Sequence, residues 1–543
     1  MATVAEILAR GLKSAGVPRL FGLPGGEISQ ALEAVRREGL PFVLTRHEAA
    51  AAFMAAATAR LTRSVGACLT TLGPGAANAV VGLAHAYLDR SPVILVTGQM
   101  PDRLRPGHTH QFLDLHALYR PVTKDSRHLT PAGAQDMLRL ALQLAEQGRP
   151  GPVHLQLTNE DAARQTEPPA SGVSRQIEFG MGHGLGQGLE MARAAIRRAH
   201  RPVLVCGLGL EPEAPYPELL ALAEALQAPL ITTPKAKGAL PAAHPLSAGV
   251  IGLTQTDPAY AVLQEADCVL AVGFDPVELV RPWGHPAPLV WIARWENADP
   301  ALPAAAEIVG ELAPSLIRLA EAQPAAEAGW GQARVTRHRA DLSGHRLQSA
   351  PEPAIGSHRG RMSPQQVLGA LREALPEETL ISVDVGSHKI LACLDWPMSL
   401  PNRFLVSNGL SSMGYGLPAA VAAGLAFPGT PALCLTGDAG LAMTLGELGT
   451  LAEAGGPVLV VVFKDDTLDL IRSHQRRAGL PPFGTEFRGP NFARVAEAHG
   501  IEGVRAEDPS AVVKAAERTL QTKAPLLIDA VIDPAGYPTT PVE

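Results

Sequence analysis

Two carboxylates in the C-terminal third stand where a metal and a phosphate could meet. One apolar run ends in Gly437-Asp438-Ala439-Gly440 and the next in Lys464-Asp465-Asp466-Thr467, which places Asp438 and Asp465 27 residues apart. If the two runs are neighbouring strands, both carboxylates and a loop carbonyl can hold a hard divalent ion. The small residues after Asp438 would let phosphate oxygens reach amides at a helix N-terminus. Mg2+ bound together with a cofactor's phosphates is one reading; two Asp residues that merely end strands and cap helices are the other. A third carboxylate, Glu48, follows Phe42-Val43-Leu44-Thr45-Arg46-His47 at the entry to an Ala-rich helix, where a glutamate can also do no more than compensate the helix dipole. Leu72-Gly73-Pro74-Gly75-Ala76-Ala77-Asn78 forms a second glycine-rich turn, and the two turns together read as a pocket rim.

The elements that must position these groups repeat one rhythm in three blocks. A β-branched run closes on Gly, Pro or a polar residue and an Ala/Leu-rich helical stretch follows, the signature of a parallel α/β sheet. The first block offers Leu20 to Gly22, Phe42 to Thr45, Ala67 to Thr70 and Val93 to Val96 as strands. The second offers Val203 to Cys206, Leu230 to Thr232, Cys268 to Val272 and Leu289 to Ile292. The third offers Leu380 to Val383, Leu433 to Thr436, Val458 to Phe463 and Leu526 to Ile528. Continuous apolar runs are what strands covered on both faces look like, and ligands gather at the carboxyl ends of such strands. Composition shifts to Pro, Gly, Ser and charge over Thr166 to Gly184 and Gln323 to Arg361, which read as linkers. The expectation is an α/β protein of three doubly wound parallel-sheet domains, over residues 1–165, 185–322 and 362–535.

The 543 residues give room for several cores, and 46 % apolar with 18 % charged residues is globular composition. A net charge of -7 without a Lys/Arg-rich block argues against a nucleic-acid partner. No apolar stretch reaches membrane-spanning length, and Met1 to Val17, interrupted by Glu6, Arg10 and Lys13, reads as an amphipathic helix and not as a signal peptide. A cytoplasmic protein is expected. Cys68, Cys206, Cys268, Cys393 and Cys434 lie singly in apolar runs and read as reduced, buried thiols.

Taken in this order, the motifs resemble the thiamine diphosphate enzymes of the acetolactate synthase and 2-oxo acid decarboxylase superfamily, over nearly the whole chain. Arg46-His47-Glu48 looks like that family's glutamate motif, Gly73-Pro74-Gly75 like its following turn, and Gly437-Asp438 through Asp465 like its diphosphate and Mg2+ motif. Several segments look most like the catabolic, FAD-independent acetolactate synthases: His108 to Asp114 with Arg120 to Lys124, Phe274-Asp275-Pro276-Val277-Glu278, Gly386-Ser387-His388 and Ser407-Asn408-Gly409. Asp465 suits that branch. FAD-binding relatives usually show Phe-Asp-Asp-Arg where this chain has Phe274-Asp275-Pro276-Val277, so FAD is not expected. Gly207-Leu208-Gly209 is only a fragment of a dinucleotide fingerprint, with Pro212 at the place of the third glycine.

The resemblance implies thiamine diphosphate and Mg2+ as cofactors, with the metal on Asp438, Asp465 and the Thr467 carbonyl. It implies Gly386, Ser387, His388, Ala439 and Gly440 around the phosphates, and Pro74, Asn78, Ser411, Met413, Leu468 and Leu470 as further cofactor contacts. Met413 would enforce the cofactor's bend, and the Ser411 carbonyl would receive its 4′-amino group. Glu48 would bond the pyrimidine N1′ and so promote loss of the thiazolium C2 proton. The pyrimidine would face the first domain of a second subunit, which makes a homodimer the minimum unit and a homotetramer the expected assembly. Gly25, Gly26, His110, Gln111, Ile471 and His474 fall near the two small 2-oxo acid substrates, with Gln111 and His474 as catalytic candidates. His474 stands where catabolic synthases carry Gln, and Leu468 where they often carry Tyr. An imidazole there could position an acceptor, protonate an intermediate to release an aldehyde, or lie on the surface. The expected reaction joins two pyruvates to 2-acetolactate with loss of CO2. A 2-oxo acid decarboxylase or a carboligase of other specificity is the alternative, ahead of a non-catalytic paralogue.

Overall fold

The computed structural model describes residues 2–104, 107, 110–166, 185–325, 329–348 and 361–537. Its first sheet holds β1 (Leu20–Leu23), β2 (Phe42–Leu44), β3 (Gly66–Thr70), β4 (Val93–Gln99), β5 (Asp125–His128) and β6 (Val153–Thr158), in the order β2-β1-β3-β4-β6-β5. The central sheet holds β7 (Pro202–Cys206), β8 (Leu230–Thr232), β9 (Ser247–Val250), β10 (Cys268–Val272), β11 (Leu289–Ala293) and β12 (Ala304–Val309), in the order β12-β11-β10-β7-β8-β9. The third holds β13 (Leu380–Val383), β14 (Phe404–Val406), β15 (Ala432–Gly437), β16 (Val458–Lys464), β17 (Glu502–Ala506) and β18 (Leu526–Val531), in the order β14-β13-β15-β16-β18-β17. Every pair of neighbours is parallel, and helices link successive strands throughout the first and third units and some of those in the central one. The three-sheet α/β expectation is met.

Each run read as a strand forms one. The six further strands are β6 and five of the six sheet-edge strands, and edges tolerate polar or small residues, as Asp-Ser-Arg-His in β5 and Glu-Gly-Val-Arg-Ala in β17 illustrate. β6 is buried throughout although it alternates apolar and polar, because its polar side chains are paired inside: His154 with Thr97, and Gln156 with Gln99.

The Ala-rich stretch becomes the helix Glu48–Thr62, with nearly every side chain buried. Alanine at these positions lets neighbouring helices come close: a Cβ on Gly82, in the helix Val80–Leu88, would stand 2.5 Å from the Ala52 Cβ. The same helix packs on Gly416–Ala426 of the third unit, so one continuous apolar core joins the first and third sheets. The Arg46 amide, just before it, donates to Glu447 at 2.9 Å across that junction.

The linker expected over 323–361 is corrected over its middle, where a helix runs from Trp330 to Gln348. It lacks an apolar stripe and is anchored by Trp330, Val335 and two arginines. Arg334 pairs with Glu265 at 2.9 Å, and Arg339 donates to the carbonyls of Ala242, His244 and Ser247. Guanidinium anchors of this kind leave no periodic signal in the sequence. The other expected linker lies, apart from Thr166, outside the described residues. The amphipathic N-terminal helix spans Val4–Ser14 and opens on a Thr3/Glu6 capping box. No described helix is long and apolar enough to cross a membrane. All five cysteines are free and buried.

Candidate active site

β15 and β16 are adjacent and parallel, with Gly437 opposite Phe463, so Asp438 and Asp465 emerge side by side. Asp438 is 2 % exposed. Its Oδ1 accepts the Ala439 amide at 2.8 Å, and its Oδ2 accepts the amides of Asp465 at 3.2 Å and Asp466 at 2.7 Å. That one carboxylate therefore ties its own helix to the next strand's end. Asp465 Oδ1 accepts the amide and the hydroxyl of Thr467, each at 2.9 Å. Burial, and then the Asp438 charge, push the Asp465 acid up to about 7, and burial raises Asp438 as well. A buried and a half-buried carboxylate at adjacent strand ends are relieved by a shared cation. Among the described residues no third His, Cys, Asp or Glu joins them, so a metal here must draw on backbone and ligand oxygens.

Asp384, at the end of β13, accepts the Gly414 amide and the Thr436 hydroxyl. A Cβ on Gly440 would stand 2.4 Å from the Asp384 carboxylate, which is why that position has no side chain. Gly386 and Gly437 both pass the His388 ring, with Cβ positions 2.8 Å and 3.2 Å from its Cε1. His388 is 4 % exposed, stacks on Phe463, and leaves Nε2 without a hydrogen-bond partner. Burial holds its acid down to about 3, so the imidazole is neutral at ordinary pH. Ser387 donates to Asp469 at 2.8 Å, which links this turn to the helix Asp469–Arg477.

The loop from Ser407 to Gly414 carries Ser411 in a left-handed conformation, at φ 52°. All three units hold it. Lys389 donates to the Ser407 carbonyl at 2.9 Å and to the Ser411 hydroxyl at 3.2 Å. Asp89 of the first unit accepts the Gly409 amide at 2.8 Å, and the Glu278 carbonyl of the central unit accepts the Asn408 side chain at 2.8 Å. Asp89 is itself buried between His85 and Lys235. Burial raises its acid, and the charges of Lys235 and His85 pull it back to well below the usual carboxylate range. Met413 is half-buried in the loop and does not sit in the core.

On the first sheet, His47 Nδ1 caps the helix by accepting the Ala49 amide at 3.1 Å, and Glu48 opens its first turn. Glu48 is 5 % exposed, and its Oε2 accepts the Asn78 amide group at 3.0 Å. A Cβ on Gly75 would stand 3.1 Å from Glu48 Oε1, so the turn after Pro74 gives the carboxylate its room. Gly73, at φ 54°, brings the Gln111 carbonyl to 2.8 Å from where its Cβ would lie. Gly25 packs on Thr71 at the same edge, with Gly26 exposed beside it. Glu48, Pro74, Asn78 and Gln111 thus form one group, with His110 exposed next in sequence. His108 and Thr109 lie outside the described residues.

The helix Asp469–Arg477 buries no residue. Leu468 and Leu470 are half-buried at its start, Ile471 is 51 % exposed and His474 is exposed. The Glu48 group and the Asp438 group therefore form on separate sheets, with the Ser411 loop beside the second. The residues reasoning from sequence passed over are Asp384, Lys389 and Asp89. Asp384 had a signal, a carboxylate ending an apolar run as Asp438 does. Lys389 and Asp89 had none, since neither ends a strand-like apolar run: Lys389 lies inside a helix and reaches a loop 18 residues on, and Asp89 reaches one 320 residues on.

Residues 2–118 match the family described as thiamine pyrophosphate enzyme, N-terminal TPP binding domain; residues 189–319 match its central domain and 384–530 its C-terminal TPP binding domain. The chain is 31 % identical over 557 residues to a probable acetolactate synthase large subunit of Methanocaldococcus jannaschii, covering 98 % of this chain and 92 % of that one. It is 30 % identical over 532 residues to the acetolactate synthase isozyme 3 large subunit of Escherichia coli (strain K12), covering 94 % and 90 %. It is 29 % identical over 536 residues to an acetolactate synthase of Bacillus subtilis (strain 168), covering 97 % and 93 %. With sheets, glycine turns and carboxylates arranged as described, and with these matches along its length, the chain belongs to the thiamine pyrophosphate enzymes as an acetolactate synthase-like member.

Proposed function

We propose that this enzyme is a Mg2+- and thiamine diphosphate-dependent carboligase that condenses two pyruvates to 2-acetolactate with release of CO2. The observation that carries the reading is Glu48, a buried carboxylate held by Asn78 at a helix start, in a chain similar along nearly its whole length to proteins named acetolactate synthase. Thiamine diphosphate, when bound, supplies a nucleophilic carbon and an electron sink for the loss of CO2 from a 2-oxo acid. The chain supplies position, proton handling and exclusion of water.

The residues present suit both groups. Asp438 and Asp465 are fixed by backbone amides and offer hard oxygens, with the Thr467 carbonyl as the third protein ligand of Mg2+. His388 Nε2, left without a partner beside Gly386, Ser387, Ala439 and Gly440, would donate to a phosphate oxygen once the ring carries a proton there. Glu48 would hold a proton at the pyrimidine N1′, a task that suits a carboxyl shielded from water. In this reading Pro74, Asn78, Ser411, Met413, Leu468 and Leu470 complete the cofactor's surroundings. Gly25, Gly26, His110, Gln111, Ile471 and His474 face donor and acceptor. Because the Glu48 and Asp438 groups form on separate sheets, the reading takes a homodimer as the active unit and a homotetramer as its assembly. Domains over 1–165, 185–322 and 362–535 and a cytoplasmic setting, which the buried free thiols suit, belong to it too.

The test is to mix purified protein with pyruvate, thiamine diphosphate and Mg2+ and to resolve the products by NMR. Acetolactate is expected from the unaltered protein and none from Glu48→Gln. Full turnover in that variant would remove Glu48 from the chemistry. Acetaldehyde alone, or turnover only with another 2-oxo acid, would replace pyruvate condensation by decarboxylation or another ligation, with the exposed His474 as the first residue to vary.

A further inference from the structure

The Gly207-Leu208-Gly209 turn after β7 is a motif that the thiamine site leaves unused. In a dinucleotide cradle such glycines let a diphosphate approach backbone amides at a helix N-terminus, in the crevice beyond the strand ends. Here the chain fills that space itself. A Cβ on Gly207 would stand 2.3 Å from Glu278 Oε2, and one on Gly209 would stand 2.5 Å from the Trp295 ring. Glu278 is fully buried. Its Oε2 accepts the Leu208 amide at 2.8 Å and its Oε1 accepts the Thr233 hydroxyl at 2.5 Å. These are an amide and a hydroxyl of the kind a phosphate engages. The turn closes as a single 3₁₀ turn, Leu208–Leu210, and the next helix starts only at Tyr216, so no helix N-terminus faces it. The cavity that remains nearby, about 360 Å³, is lined by Leu208, Glu211 and Trp295 but not by Glu278 or Thr233. A ligand there would not reach the cradle. Glu278 also looks the other way, since its carbonyl accepts Asn408 of the loop that carries Ser411 and Met413.

We propose that Glu278 is a built-in stand-in for a nucleotide phosphate: its carboxylate closes the central sheet to dinucleotides, flavin included, while its backbone braces the Ser407–Gly414 loop. The bracing half rests on reading that loop as part of the thiamine site; the closure half does not.

Two readouts that need no turnover test it, so a failure of pyruvate condensation cannot be mistaken for its failure. The full-length holoenzyme is titrated with FAD, followed by flavin fluorescence, and with ADP, followed by calorimetry; neither is expected to bind. Melting is then compared among wild type, Glu278→Ala and Glu278→Gln. The alanine variant, with buried donors unpaired, should melt roughly 5–10 °C lower, and inorganic phosphate should restore at least half of that loss without moving the wild type. The glutamine variant keeps the shape and should fold and still exclude flavin, which preserves a test if the alanine variant does not fold. FAD or ADP bound by wild type, flavin taken up by the glutamine variant, an alanine variant as stable as wild type, or one that phosphate does not rescue would each overturn the proposal.

Discussion

Asp438 and Asp465 are the same residue type one strand apart, yet they are held differently, and that difference is testable. Asp438 uses both oxygens against three backbone amides, so an asparagine there would turn an NH2 group toward N–H donors. Asp465 has one oxygen engaged with Thr467, and an asparagine keeps that oxygen and its affinity for a hard cation. Asp438→Asn should weaken Mg2+-dependent cofactor binding by about 100-fold or more, and Asp465→Asn by about 10-fold or less, measured by titration calorimetry. Glu48, Asp438 and Asp465 could be read from the sequence because each follows an apolar run, and Glu48 and Asp438 also precede small residues. Lys389 and Asp89 could not: Asp89 reaches Gly409 across 320 residues, a contact made by tertiary folding alone.

Among elements, the β4–β6 pair in the first sheet holds a polar chain inside an apolar layer. His154 is fully buried, with Nε2 paired to Thr97 at 2.8 Å and Nδ1 to Ser126 at 2.7 Å, and Ser126 also meets His116. Burial, and then the charge of His116, hold its acid down to about 3. The unfolded chain, near 6.5, takes up a proton first as pH falls. The stability this gives is therefore complete above about pH 6.5 and is lost as pH drops toward 3, by up to about 1.4 kcal/mol per unit. The stability gap between wild type and His154→Gln should accordingly narrow by about 2 kcal/mol from pH 7 to pH 5, read from denaturant unfolding. A gap that stayed constant would show that His154 takes up its proton as readily in the folded chain as in the unfolded one. The alternation in β6 hid this strand at the sequence level, since burial on both faces ordinarily goes with a continuous apolar run, and here paired polar groups replace it.

At the scale of the whole molecule, the proposed reaction needs the Glu48 group of one chain to meet the Asp438 group of another. Co-expressing Glu48→Gln with Asp438→Asn chains, each inactive alone, should then restore activity. A mixed dimer keeps one intact site, so random pairing should give about a quarter of the wild-type rate. A mixture as inactive as its parts would place each site within one chain. The three sheets themselves were plain in the sequence, because buried parallel strands are written as unbroken apolar runs; how they dock was not, since docking is made by the Ala-rich helix Glu48–Thr62 and by polar contacts without periodicity, such as the Arg46 amide on Glu447 and the Lys235–Asp89 ion pair.

The strand orders carry one more consequence. The first and third sheets follow the same path, each unit's second strand at one edge and its fifth at the other, while the central sheet follows a different one. Corresponding loops carry corresponding cargo: Glu48 follows the second strand of its unit and Ser411 the second strand of the other, while Gly73-Pro74-Gly75 and Gly437-Asp438 each follow the third. One topology is thus used twice in a single polypeptide, with equivalent loops turned to equivalent use. If the proposed function holds, the two ends of one small molecule would be met by the same loops of the same topology, once in each unit.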